Sequence, residues 1–183
     1  CNLQSVLSLP LQLDSSNTQA LEKAMRMYNG KAMINSVNGK QSSMNEVFPL
    51  VQKYGGVVVC LCLDESGIPE TAQGRIDIAK KIIKTAESYG IDKKDLVVDA
   101  LVMTISTNKD NAKETLKAVD YIRHELGVGT VLGVSNISFG LPKREAINTA
   151  FFTLALKAGL SAGIINPLSE SMMNAYYSYN ALE

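Results

Sequence analysis

The chain has 183 residues, with 18 Lys+Arg against 18 Asp+Glu, so its formal charge is zero. A phosphate-backbone binder draws most of its affinity from a basic surplus, so this balance argues against a nucleic-acid partner. The most apolar runs, at 57–63 and 130–134, fall far short of the roughly 20 residues a membrane-spanning helix needs, and no basic segment followed by an apolar one opens the chain as a leader would.

The three cysteines are Cys1, Cys60 and Cys62. An odd count at these spacings is not a disulfide framework. Cys60 and Cys62 stand two apart in an apolar run, so a strand would point both the same way as small buried hydrophobes. Without a further Cys or His cluster there is no zinc site, and no metal is expected. Reduced thiols fit a cytoplasmic protein. The chain starts at Cys1 without an initiator Met and ends at Glu183 inside a helical pattern. It is read as one domain over 1–183, a fragment or excised part of a longer protein.

In chain order, short apolar runs alternate with longer amphipathic ones. Strands are predicted at 11–14, 32–36, 57–63, 96–101, 130–135 and 162–166. They are apolar at most positions, as strands buried on both faces of a parallel sheet are. Helices are predicted at 17–28, 44–54, 71–89, 111–126, 145–158 and 169–179. Asn29-Gly30, Gly55-Gly56, Gly90, Gly127 and Gly159 stop the first five. This alternation is the pattern of repeated βα units.

Six βα units suit either a doubly wound sheet or part of an eight-stranded barrel. The polar residues favour the barrel. Asp14, Asn35, Asp99, Asn136 and Asn166 each come at or just after the C-terminal end of an apolar run, where a barrel builds its site. An open sheet would use only those near its switch point. No G-x-G-x-x-G follows a strand. The fold class is therefore α/β, a TIM-type (βα)8 barrel represented by about six units.

Two carboxylates and two amides around one mouth suit a neutral heterocycle rich in donors and acceptors. A carboxylate can accept two parallel N–H bonds from an amino-pyrimidinone edge, and an amide can donate one bond and accept another. No Lys, Arg or His belongs to the set, which disfavours a phosphorylated substrate. The competing reading is that these residues only start loops; Asp14, ahead of Ser15-Ser16-Asn17, could cap a helix. The only histidine, His124, reads as a solvated helix-end residue. Asn38-Gly39-Lys40 reads as a loop turn.

Four segments carry more. Leu-Gln-Leu-Asp-Ser-Ser-Asn at 11–17, Gly-Lys-Ala-Met-Ile-Asn-Ser-Val-Asn-Gly-Lys at 30–40, Gly-Val-Ser-Asn-Ile-Ser-Phe-Gly-Leu-Pro at 133–142 and Ile-Ile-Asn-Pro-Leu at 164–168 resemble the pterin-binding barrel of methyltetrahydrofolate methyltransferases. That family includes the folate domain of cobalamin-dependent methionine synthase and the folate:corrinoid methyltransferase of acetogens. The likeness runs from about residue 9 to the end and is most specific over 130–142. It implies that Asp14, Asn35 and Asp99 hold the pterin ring and that Asn136 hydrogen-bonds near N5 as the catalytic residue. It also implies that Gly133 and Ser135 line the floor, with Asn166 beside them. Ala100 departs from the family, which often has Pro after the third-site aspartate.

The resemblance further implies methyltetrahydrofolate as methyl donor and a cobalamin or other corrinoid supplied by another domain or protein. The first two barrel strands would precede Cys1, so a partner segment fills the gap or two copies pair as a homodimer. Asparagine has no usable pKa near neutrality, so Asn136 would orient N5 and stabilise charge, and the proton would come from water or a relayed carboxyl. Three rivals remain. A dihydropteroate synthase would want a base where Ser135-Asn136-Ile137 stands. A non-catalytic module would only pack against a corrinoid domain. An unrelated barrel would bind a sugar or a carboxylate.

Overall fold

Each of the six apolar runs forms a strand. In the computed structural model, which describes residues 2–183 and leaves Cys1 outside, these are β1 (Gln12–Asp14), β2 (Met33–Asn38), β3 (Val57–Leu61), β4 (Leu96–Asp99), β5 (Gly129–Gly133) and β6 (Ala162–Ile164). The α-helices are α1 (Asn2–Val6), α2 (Thr18–Met27), α3 (Gln41–Tyr54), α4 (Ala72–Ser88), α5 (Asn111–His124), α6 (Arg144–Lys157) and α7 (Glu170–Leu182). Neighbouring strands are parallel, and their order in space is their order in the chain.

That order decides the architecture. A doubly wound sheet reverses at a switch point. Here every crossover steps one place onward in the same sense, so right-handed βα units put their helices on one face and curl the sheet into an arc of a barrel. The expected barrel fold with six βα units is what forms. Among the described residues the arc is open, and β1 and β6 each keep one unpaired edge.

Successive side chains of a strand point to opposite faces. Ile34, Val37, Val58, Cys60, Leu96, Val98 and Leu132 are buried with Met44, Phe48, Ile82, Val119 and Phe152 of the helices. Each such side chain contributes roughly 1.5–3 kcal/mol on burial, so this layer holds the fold. Val59 and Val131 are 2% and 3% exposed yet lie outside that layer, because they face the inner side of the arc. Cys60 and Cys62 are buried free thiols.

The boundaries differ where polarity hid a helix or a turn. Helix α3 starts at Gln41 rather than at residue 44, because its first turn, Gln41-Ser42-Ser43, is polar and shows no apolar stripe. Strand β5 ends at Gly133 rather than at 135; Val134–Ser138 wind into a short 3-10 helix that buries Val134 and Ile137. The short helix α1 carries no sequence signal. Among the described residues no helix is long and apolar enough to cross a membrane.

Candidate active site at the C-terminal rim

The strand register fixes which polar groups share the inner face. Leu13 and Ile34 pack toward the helices, so their neighbours Asp14 and Asn35 point inward. The two are cross-strand partners, and Asn35 Nδ2 donates to Asp14 Oδ2 at 3.2 Å. The register shifts between Asn35 and Val37, and the Asn35–Ser36 peptide is cis. That irregularity brings Asn38 into line with Leu61, which in turn pairs with Asp99, and Asp99 pairs with Val131. Asn38, Leu61, Asp99 and Val131 therefore form one row near the C-terminal rim, one inner-face step beyond Asp14 and Asn35.

Asp99 is the most constrained member. It is 9% exposed, and its Oδ1 accepts the Leu101 N–H at 2.8 Å. Burial pushes its pKa up to about 6, against the Leu101 N–H and the Arg75 charge, which both hold it down. Burial pushes the Cys60 thiol up to about 12 and the Cys62 thiol well above its ordinary value. The reactive form of a cysteine is the thiolate, so neither is a nucleophile at neutral pH. His124 ends α5, whose C-terminus lies at the end of the barrel away from the strand C-termini, and its Nδ1 meets Asp120 Oδ1 at 3.0 Å. Among the described residues, no group of three or more His, Cys, Asp or Glu is placed to hold a metal ion.

Asn136 lies in the 3-10 turn after β5, not at a strand end. Its amide folds back over the inner face: a Cβ added to Gly133 would come within 3.3 Å of Asn136 Nδ2. A side chain at 133 would press on this amide, which overhangs β5 two residues beyond the partner of Asp99. The loop is pinned from the preceding unit, by the segment that follows β4. Thr104 Oγ1 and Ser106 Oγ donate to the Phe139 carbonyl at 2.8 and 3.1 Å, and Ile105 N–H donates to Ile137 O at 3.0 Å.

The predicted residues do not line a single cavity. Asp14 and Asn35 line a cleft of about 340 Å³ together with Asn38, Lys40 and Ser43. Ser135 and Asn166 line another of about 530 Å³ with Arg144, Asn148 and Met172. Neither lining includes Asp99 or Asn136. The clefts lie at opposite ends of the arc and share their linings with helix residues, Leu21 and Val47 in one, Arg144 and Met172 in the other, while Asp99 stands between them in chain order.

The loop-starting alternative divides the set. The cap of α2 is Asn17, whose Oδ1 accepts Ala20 N–H, so Asp14 is free of that duty. Asn166 does serve its loop, because its Oδ1 accepts Leu168 N–H at 3.0 Å. Three residues escaped the sequence reading. Asn38 is the last residue of β2 rather than part of a loop turn, although its Oδ1 does accept Lys40 N–H. Arg144 donates to the Ser135 carbonyl at 2.9 Å and to Ser138 Oγ at 3.0 Å, so a cation does stand at the rim. Arg75 is wholly buried. Its position in line with Ala79, Ile82 and Ala86 on the apolar stripe of α4 was the available signal.

Known proteins give this geometry a context. The pattern of the family "Pterin binding enzyme" matches residues 2–166. A methionine synthase of Mycobacterium tuberculosis is 34% identical over 91% of the chain, and one of Mycobacterium leprae 33% over 90%. The chain spans only 15% of the length of either. A methylcorrinoid:tetrahydrofolate methyltransferase of Eubacterium limosum is 28% identical over 98% of the chain and 68% of its own length. Among solved structures, a Clostridium difficile dihydropteroate synthase crystallised in the presence of pteroic acid superposes with a TM-score of 0.76 at 22% identity, covering 99% of this chain and 70% of that one. A dihydropteroate synthase of Stenotrophomonas maltophilia superposes at 0.75 with 19% identity, over 99% and 72%. At those identities the structural likeness speaks for the fold alone, whereas the family pattern covers most of the sequence: the chain belongs to the pterin-binding enzymes.

Proposed function

We propose that this domain holds the pterin ring of methyltetrahydrofolate on the inner face of the arc and presents its N5-methyl group to a corrinoid carried by another domain or protein. The observation that supports it best is the pairing of a buried carboxylate with an overhanging amide. Asp99 is set to accept the amino-pyrimidinone N–H groups, while Asn136 reaches over Gly133 toward the rim. Asp14 and Asn35 add an acceptor and an amide on the same face. The names of the sequence relatives point to the same methyl chemistry.

The division of labour follows from this chain's own groups. Both described thiols are buried and His124 lies at the far end, so the nucleophile comes from outside. A reduced corrinoid supplies it when bound. Asp99 binds and orients the ring. Asn136 directs an amide dipole at N5 and stabilises charge as the methyl leaves, an effect that oriented donors supply without reorganisation. The proton that N5 needs comes from water or a relayed carboxyl, since an amide cannot give it. The name of the Eubacterium limosum relative runs in the opposite sense, from corrinoid to folate, and the same groups serve either direction. Gly133, Ser135 and Asn166 complete the floor in this reading. The unpaired edges of β1 and β6 are where further strands or a second copy of the chain would pair. Free Cys60 and Cys62 suit a reducing cytoplasm.

Calorimetric titration with methyltetrahydrofolate and single-turnover transfer to cob(I)alamin test the proposal. Asn136→Ala should reduce transfer by about 100-fold, the scale for losing one oriented donor, while folate affinity falls much less. Equal losses in both would remove Asn136 from catalysis. No binding at all would favour a packing module. A dihydropteroate synthase would instead join p-aminobenzoate to a pterin pyrophosphate, and the Arg144 cation at the rim makes that assay a necessary control.

A further inference from the structure

We infer that Arg75 is a positioning residue for Asp99, acting through the Leu101 peptide rather than by touching the ligand. The inference rests on the assignment of Asp99 to the pterin site. The chain of contacts is continuous. Arg75 Nη1 donates to the Leu101 carbonyl at 3.1 Å and to Thr115 Oγ1 at 2.7 Å, and Nε donates to the Pro69 carbonyl at 2.9 Å. Leu101 stands at φ 61, a left-handed conformation that a leucine seldom adopts unless its surroundings hold it there. In that conformation its N–H meets Asp99 Oδ1 at 2.8 Å. The guanidinium thus fixes the carbonyl of Leu101, whose N–H, in the preceding peptide, fixes the carboxylate, and leaves Asp99 Oδ2 for the inner face.

A purely structural brace at this place would not require a full positive charge. It is 0% exposed, and its Nη2 is the buried side-chain polar atom without a partner among the described residues. Burying a charge is costly, and buried charged groups replaced together with their partners by apolar side chains often leave stability unchanged or raised. An apolar side chain could fill the space but could not grip the Leu101 carbonyl or place a positive charge beneath Asp99. The groups facing this pair are few. Cys62, just after β3, interacts with both Asp99 and Arg75, and Glu114 on α5 interacts with Arg75. Thr115 is itself anchored, since its Oγ1 donates to Asn111 O at 2.9 Å. The brace therefore ties the starts of α4 and α5 to the loop after β4.

The test compares the intact protein with its Arg75→Lys, Arg75→Met and Thr115→Val variants by two readouts. The first is the titration of the Asp99 carboxyl, followed by carbon-13 NMR without ligand. The second is methyltetrahydrofolate affinity, with and without Asp99→Asn in the same chain. The brace predicts that the Asp99 midpoint rises in Arg75→Met and that Arg75→Lys, which keeps charge but loses the fork, binds folate roughly tenfold more weakly, as small misplacements of a binding group do. In the Asp99→Asn background Arg75→Lys should add no further loss. An unmoved Asp99 titration, or equal losses in both backgrounds, overturns the inference. Should the Arg75 variants fail to fold, Thr115→Val, close in shape to Thr, reads the same quantities. If the unmodified protein binds no folate, the pterin assignment falls, and the ligand-free titration still decides whether Arg75 sets Asp99.

Discussion

The two carboxylates of the site live in different circumstances. Asp14 closes a three-residue strand at an open edge of the arc, is exposed, and touches the rest of the site through one 3.2 Å bond from Asn35. Asp99 closes β4 in the interior of the sheet, is 9% exposed, and accepts the N–H of Leu101, whose carbonyl a buried arginine holds. A ligand meeting Asp99 finds a group already oriented, and the ordering cost falls on folding rather than on binding. A ligand meeting Asp14 must order it. Pre-organisation, not residue type, should therefore rank the two.

The largest effect is expected at Asp99. Replacing Asp99 by Ala should weaken methyltetrahydrofolate binding by at least about 100-fold, since it removes a charge-assisted acceptor from a dry site. A loss of under about threefold, on the scale of a single exposed hydrogen bond, would return Asp99 to a loop role. The next effect runs the other way, in stability. The pKa of Asp99 is raised on folding, so the folded chain holds that proton more tightly than the unfolded one. The stabilisation this gives is full below the ordinary carboxylate value of 3.8 and is lost as pH rises through about 6. At pH 8 the folded protein carries a buried charge at a cost of about 2–3 kcal/mol. Asp99→Asn keeps an acceptor for the Leu101 N–H and removes the charge. It should raise stability by about 2 kcal/mol at pH 8 and by nearly nothing at pH 4, measured by urea unfolding at both pH values. Equal gains at both would show that the charge is not what strains the fold.

The contrast between these two residues also marks how far sequence reading went. Both were legible as polar residues ending apolar runs, because a barrel strand buried on both faces shows its end by its first polar side chain. The barrel order was legible from these polar strand ends, since the alternation of strand, helix and glycine stop suits a doubly wound sheet equally well. Their different burial was not. Asp99 owes its environment to Leu101 and Thr115 of its own βα unit and to Arg75 of the unit before, contacts far enough apart in the chain to leave no local pattern. Arg75 escaped because arginine in an amphipathic helix ordinarily lies on the wet face. Asn136 was found, but its strand was drawn too long, since Val134 and Ile137 are as apolar in a 3-10 turn as in a strand. Asn166 shows a further limit: its Oδ1 accepts the Leu168 N–H, a turn bond that no run of apolar residues ahead of it could reveal.

The smallest effects belong to the open edge. Asp14→Asn preserves size and the contact with Asn35 while removing the charge, so folate affinity should fall by about five- to tenfold, or 1.0–1.4 kcal/mol. Its stability should stay within about 0.5 kcal/mol of the unmodified protein at any pH, as exposed substitutions do. The pair of measurements separates two ideas about this corner. Were Asp14→Asn to match Asp99→Ala in lost affinity, the edge carboxylate would be as well ordered as the buried one, and something would have to pair with β1 to order it. Hydrogen exchange then locates the cause: amides of β1 that exchange as slowly as those of β4 mean a covered edge, and amides that exchange freely mean that Asp14 is ordered by the ligand alone.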